Sequence, residues 1–296
     1  MLSISRILLP VDFSDRCLGM LQYAKAAAAK YSAELILLHV ANPIYEVPPT
    51  GLSGPLFIPV PKSIITEQGD DLEKFGADQL EGIKVRRVLY EGNPEEQISG
   101  FAESEKIDLI AMPTHGYGGF RQFLVGSVTA KVLHDVDCPV LTGVHMEEQP
   151  AAEHARVSKV LCAIDLGPQS LDILKWASQL AADFDAQFGV VHAVPPLTPG
   201  DDLDWKRPEV FNVARQEVET LLSAAGSVEA TIHIDEGDAA KTVCHFAKEA
   251  GAGLLVIGRG PQDGTGGRLT DLAYAIVRQS PCPVVSIVAA GPPTAA

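Results

Sequence analysis

The sequence predicts an α/β fold built twice: two tandem, doubly wound, mainly parallel five-stranded sheets flanked by helices. Three observations predict it. Short runs rich in Ile, Leu and Val are apolar on both faces, as strands of a sheet covered on both sides must be. Stretches of helical length separate those runs, which is the alternation of a βαβ protein. The chain also matches itself. Arg6-Ile-Leu-Leu-Pro-Val-Asp12 parallels Lys159-Val-Leu-Cys-Ala-Ile-Asp165, and His39 and His192 stand at the same separation as Asp12 and Asp165. Glu91-Gly92-Asn93 pairs with Glu236-Gly237-Asp238, and Cys138-Pro139-Val140 with Cys282-Pro283-Val284, at a slightly shorter separation. The second copy has therefore lost loop residues. Self-similarity on the scale of half the chain means tandem domains rather than a solenoid of short repeats.

The elements of the first copy follow in order. Residues 4–11 form an apolar run of strand length, and residues 14–31 a helical stretch with Ser14 in place to cap it. A second buried strand spans 35–40, a second helix 62–80, and a third strand 85–90. A helix over 95–106, a strand over 108–112, a helix over 127–135 and a last strand over 140–144 complete the unit. The second copy repeats the pattern from Val160 to Val288. Domains are expected at 1–146 and 157–296, joined near 145–156 by a polar, Ala-rich segment containing Pro150.

Composition narrows the function. A chain of 296 residues suits two ordinary domains. Its formal net charge of −15, from 38 acids against 23 Lys and Arg, argues against general affinity for nucleic acid or an anionic membrane. A phosphorylated ligand would then need local backbone amides, a helix start or a metal ion. No apolar run approaches a membrane span, and the first fifteen residues, MLSISRILLPVDFSD, carry acids and no apolar leader core, so a cytoplasmic protein is expected. The five cysteines are odd in number and form no C-x-x-C pair, which speaks against a disulfide framework or zinc site. Cys138 and Cys282, each before Pro and an apolar run, read as small buried hydrophobes at strand starts.

Doubly wound sheets bind ligands beyond the carboxyl ends of their strands, where the strand order reverses. The informative residues are those after strands one, two and four. After strand four the chain reads Met112-Pro-Thr-His-Gly116-Tyr-Gly-Gly-Phe-Arg-Gln-Phe-Leu-Val-Gly126-Ser127-Val128. Gly116, Gly118 and Gly119 allow tight turns and close approach of a ligand. Gly126-Ser127 opens a helix whose free amides and positive dipole end can take a phosphate, and the Ser127 hydroxyl can add a hydrogen bond or reach a metal.

These residues resemble the ATP-binding branch of the universal stress protein family. That branch carries a glycine, two residues, a glycine, nine residues, then glycine with serine or threonine. Here Gly116 and Gly126-Ser127 match at the right spacing, and Pro113 departs where the first glycine belongs. Proline lacks an N–H, so any contact needing that amide is lost. LLPVDFSD, EGNPEEQI and DCPVL extend the resemblance, which covers essentially the whole chain, twice. It implies an adenine nucleotide α-hydrolase-like fold that binds ATP. Asp12 is similar to the family's acid at the adenosine part, with Pro10 and Val11 as that wall. Val40 is similar to the residue whose backbone reads adenine, and Met112 to one packed near the ribose. Gly116, Gly126, Ser127 and Val128 would wrap the phosphates, with Mg2+ offsetting their charge.

The second copy keeps Asp165 and Gly258 but places Thr270-Asp271 where Gly126-Ser127 stands. A carboxylate at a helix start caps it well and repels phosphate. Its loop from Gly258 to Gly264 is one residue short and carries Asp263. The second site is expected to hold no ATP.

Plainer readings stand beside these. Gly116 and Gly126 could be turn and cap residues only, and Asp12 a helix cap. His39 and His192 read as structural histidines and Arg121 as solvated. Residues 43–61, rich in Pro and apolar side chains and without a counterpart in the second copy, could be a lid, a partner surface or a packed Ω-loop. No Walker loop, H-E-x-x-H or G-x-S-x-G elbow is present. The expected function is an ATP-binding stress-response protein with a regulatory or sensing role and at most slow hydrolysis. The alternatives are an interaction scaffold with both nucleotide sites vestigial, or an ATP-using enzyme of the same fold. The enzyme reading lacks an S-G-G-x-D-S or H-I-G-H signature, since VDFSDRC stands there. The two copies should pack as an internal pseudo-dimer through 140–144 and 284–288, and two chains as a homodimer. The sequence points to no particular protein partner.

Overall fold

Helix starts and stops follow from a few residues. The structure, a computed structural model, describes residues 1–46, 56–58, 60–114, 125–143, 157–196, 207–226, 229–260 and 270–288. The first half runs β1 (Arg6–Pro10), α1 (Asp15–Tyr31), β2 (Glu34–Ala41), β3 (Ile44–Glu46), β4 (Leu56–Ile58), α2 (Lys62–Lys74), β5 (Val85–Glu91), α3 (Pro94–Ser104), β6 (Leu109–Pro113), α4 (Ser127–Asp135) and β7 (Val140–Gly143). The second runs β8 (Lys159–Ala163), α5 (Ser170–Asp183), β9 (Gln187–Val194), α6 (Arg207–Ala224), β10 (Thr231–Glu236), α7 (Ala239–Glu249), β11 (Leu254–Arg259), α8 (Asp271–Gln279) and β12 (Val284–Val288). Ser14 caps α1 by accepting the Cys17 amide, and Ser32 ends it in the left-handed region. Asn93 caps α3 ahead of Pro94, the usual placement for proline in a first turn. The helix expected to reach residue 80 stops earlier. Phe75 leaves helical space and Gly76 turns to φ +61, so only a 3-10 turn over Ala77–Gln79 continues it.

The two expected five-stranded sheets are present and join through their last strands, as expected, into one ten-stranded sheet ordered β10-β9-β8-β11-β12-β7-β6-β1-β2-β5. Every neighbouring pair is parallel except β7 and β12, which run antiparallel. Both are buried strands, and an open edge on either would leave ladder groups without partners. Thr142 lies opposite Val284 and Val140 opposite Ser286. The Thr142 hydroxyl donates to the Val284 carbonyl at 3.3 Å, and the Ser286 hydroxyl to the Val140 carbonyl at 3.4 Å. One bond is thus made twice across a pseudo-two-fold axis, and the tandem chain is its own dimer.

A core layer covers each face of the sheet and crosses the seam. One contains Met20, Leu37, Leu174 and Val256; the other contains Leu38, Ile110, Leu133, Leu255 and Val277. Sequence reading missed the antiparallel hairpin of β3 and β4, in which Ile44 faces Ile58. Residues 47–55, and with them most of the 43–61 segment, lie outside the described residues, as does the 145–156 join. All five cysteines are free, with Cys17, Cys162 and Cys282 buried. Among the described residues no helix is long and apolar enough to cross a membrane.

Candidate functional site

β1 lies between β6 and β2, so its carboxyl end is the point where the crossovers diverge. There the ends of β1, β2 and β6 and the start of α4 enclose a cavity of about 380 Å3. Pro10, Val11, Asp12, Val40, Met112, Gly126, Ser127 and Val128 all line it. Gly116 lies outside the described residues, together with Gly118, Gly119 and Arg121.

The turn after β1 is strained in both halves: Phe13 has φ 62 and its equivalent Leu166 has φ 61. Bulky side chains adopt this region only where the surroundings hold them. Here Asp12 does much of the holding. Its Oδ1 accepts the Ser14 amide at 3.1 Å, the Ser14 hydroxyl at 2.6 Å and the Cys17 thiol at 2.9 Å. Asp165 repeats the arrangement with the Gly167 amide and the Ser170 hydroxyl. The helix cap itself is Ser14, so Asp12 is not simply a cap. Burial, and then the neighbouring Asp12 charge, push the Cys17 thiol far above its ordinary range. It is a neutral donor rather than a nucleophile.

Both histidines bond to the main chain. His39 donates from Nδ1 to the Val11 carbonyl at 2.7 Å, and His192 from Nδ1 to the Ile164 carbonyl at 3.0 Å. A carbonyl only accepts, so Nδ1 carries the proton in each. In His39 this leaves Nε2 buried and without a partner among the described residues.

The start of α4 carries the phosphate argument. Gly126 sits at φ −60, ψ 152, which any residue can adopt, so backbone freedom does not explain a glycine there. Its missing side chain does matter. Among the described residues no side chain caps α4, which leaves the amides of Ser127, Val128 and Thr129 as the orphan donors of the first turn. The two preceding amides are already used: Gly126 donates to the Thr114 carbonyl at 2.7 Å and Val125 to the Tyr274 hydroxyl at 3.2 Å. Within the sheet Pro113 costs β6 no bond to β1. β6 meets β1 only through Leu109 and Ile110, so no β1 partner waits for an amide at Pro113. Its carbonyl accepts the Thr129 hydroxyl at 3.0 Å.

Among the described residues lining the cavity Asp12 is the only charged one, so a phosphate beside them would be met by main-chain donors and the helix dipole. Among the described residues no group of three His, Cys, Asp or Glu could hold a metal unaided.

The second half presents a smaller cavity of about 200 Å3 lined by Asp165, Gly258, Arg259, Gly260 and Thr270, among others. Its helix is capped, but the capping group differs from expectation. Thr270 is the cap, its hydroxyl accepting the Ala273 amide at 3.2 Å, and Asp271 follows at the first helical position. A threonine hydroxyl reaches the third amide more readily than a carboxylate already inside the helix. Gly258 serves packing, because a Cβ there would collide with the Ile173 side chain of α5. Gly264 and Asp263 lie outside the described residues.

Thr129, Cys17, Pro94 and Ile98 also line the first cavity and were missed in the sequence, and His39, read there as structural, lines it too. Asn93-Pro94 was a legible signal, since a capped helix start after a strand end is where such folds place ligand contacts.

Fold and cleft together define a class: a tandem, doubly wound α/β protein with an uncapped helix start at the switch point of its first repeat. The model of the universal stress protein family matches residues 3–142 and again 156–287, and the chain belongs to that family. A universal stress protein of Methanocaldococcus jannaschii is 33% identical over 140 residues, covering 46% of this chain and 79% of its own length. The universal stress protein YxiE of Bacillus subtilis is 29% identical over 146 residues, covering 46% of this chain and 97% of its own. Each such relative corresponds to one repeat. The crystal structure of a universal stress protein from Archaeoglobus fulgidus matches with a TM-score of 0.70 at 22% identity, over 96% of this chain and 98% of that one. At that identity the likeness speaks to the fold alone.

Proposed function

We propose that the first repeat, residues 1–146, binds an adenine nucleotide, ATP with Mg2+, and that the protein uses it for regulation or sensing in a stress response. The observation that carries this reading is the contrast between two equivalent helix starts. α4 is uncapped above the larger cavity, with Asp12 on its wall, whereas α8 is capped by Thr270 above the smaller one. In this reading Pro10, Val11, Asp12, Val40 and Met112 surround the nucleoside, and Gly126, Ser127 and Val128 hold phosphate, together with Gly116. The volume of the first cavity falls in the range of small-ligand sites. The second repeat, residues 157–296, keeps the fold and supports the first.

Isothermal titration of the full chain with Mg-ATP tests this. One nucleotide per chain is the expected stoichiometry. Absence of heat and of any thermal shift would favour a scaffold with two vestigial sites, and product analysis of the same mixture would expose turnover.

A further inference from the structure

Helix α4 is held at both ends by the other half of the molecule. At its start the Tyr274 hydroxyl, from α8, accepts the Val125 amide at 3.2 Å. At its far end the Arg259 guanidinium donates through Nη1 to the Leu133 and Val136 carbonyls and through Nη2 to the Cys138 carbonyl at 2.8 Å. Arg259 is fully buried, so these carbonyls replace water around its charge. A cation placed there also matches the negative end of the α4 dipole.

At the equivalent described positions the first half does not carry these side chains. α4 and α8 are both nine residues long and align position for position, which puts Ala130 where α8 has Tyr274. In the sheet Met112 faces Thr142 as Ile257 faces Ser286, which aligns Thr114 with Arg259. Alanine has no hydroxyl and threonine no guanidinium. The Thr114 hydroxyl donates to the Gly143 carbonyl within its own half. The pseudo-symmetry kept at Thr142 and Ser286 is therefore broken at two positions, and in the same direction at both. The helix that receives the support is the uncapped one.

We infer that Tyr274 and Arg259 are positioning residues for the first-half site, so that the second repeat orients the phosphate-binding helix of the first. This rests on the reading of α4 given above. Tyr274 takes the Val125 amide and Thr114 takes the Gly126 amide, which fixes the peptide planes entering α4. The next three amides are then presented as one set. Without the Tyr274 hydroxyl the Val125 peptide is free to rotate, and the set loses its fixed orientation.

Tyr274→Phe keeps the ring and removes only the acceptor. In the full chain without nucleotide, amide exchange at Val125 should rise roughly fivefold, the value of one modest hydrogen bond, and the amide resonances of Ser127 to Thr129 should shift. Mg-ATP affinity should weaken by a similar roughly fivefold factor, with the thermal midpoint lowered by no more than about 4 °C. Arg259→Lys keeps a charge but lacks the planar fork, so exchange should rise in the last turn of α4. Ser286→Ala, at the seam but away from α4, should leave exchange and affinity as they were. Wild-type exchange at Val125 and unshifted first-turn amides in Tyr274→Phe would overturn the inference, as would equal effects from Ser286→Ala. A wild-type chain indifferent to Mg-ATP would remove the nucleotide reading instead, and the exchange measurement would still decide the positioning role.

Discussion

The Tyr31 hydroxyl donates to Oδ2 of Asp183 at 3.0 Å, tying the end of α1 in the first half to the end of α5 in the second. The same oxygen accepts the Leu2 amide at 2.7 Å, and the Gln179 side chain donates to Oδ1 at 2.9 Å. Asp183 thus fastens the halves on one face of the sheet, while Arg259 and Tyr274 fasten them on the other.

This contact gives stability a pH dependence. Burial pushes the Asp183 carboxyl up, but the bonds from Leu2, Gln179 and Tyr31 outweigh it and hold the group below its ordinary 3.8. A carboxyl depressed in the folded state adds stability above its unfolded pKa and loses it as pH falls through the folded one. Asp183→Asn should therefore cost about 1–3 kcal/mol at neutral pH. The gap from wild type should narrow below about pH 4, where the wild-type advantage is itself titrated away. Urea unfolding of both proteins at pH 7 and pH 3 checks this; a gap that widens in acid would be inconsistent with it.

Gly126→Asp copies the idea of the capped second repeat onto the first. The backbone at Gly126 tolerates any residue, so the variant should fold, with stability equal or higher by up to about 1 kcal/mol. The new carboxylate would take first-turn amides and repel phosphate, so nucleotide binding should disappear. Titration calorimetry beside a thermal melt separates the two effects. Unchanged affinity would remove α4 from the site.

Asp12→Asn separates charge from turn geometry. The amide oxygen can still accept from Ser14 and Cys17, so the strained turn at Phe13 should survive. Adenosine itself, which carries no phosphate, should then bind about tenfold more weakly, in line with loss of one charge-assisted hydrogen bond. An unaltered adenosine affinity would assign Asp12 to the turn alone.

Gly258→Ala tests the claim that this glycine exists for packing. The added methyl meets the buried Ile173 side chain, and overpacking of this kind costs about 1–3 kcal/mol. Chemical denaturation should show the loss, while Mg-ATP affinity of the first repeat should not change. A neutral result would mean that α5 yields at no cost.

Much of this molecule was legible before its structure. The repeat and the strand runs follow from local patterns, because parallel strands advertise themselves by apolar runs and helix starts by their caps, while most residues named around the first cavity came from the family resemblance. What sequence missed depends on distant partners or on single dihedral angles. The joining of the sheets at Val140 and Ser286 was expected only as a pairing, without the continuous cores behind it. The early end of α2 turned on one glycine, Gly76. Gly258, which the second copy keeps, also makes room for Ile173, a residue far away in sequence. Tyr274 and Arg259 carried no local signal at all, since each acts on the other half of the chain.

The most direct test is a backbone amide spectrum of the full chain titrated with Mg-ATP. The account predicts saturable shifts at Ser127, Val128 and Thr129, at one nucleotide per chain, with Asp271, Leu272 and Ala273 unmoved. Shifts confined to the α8 start, or a titration that leaves the first turn of α4 untouched, would contradict it.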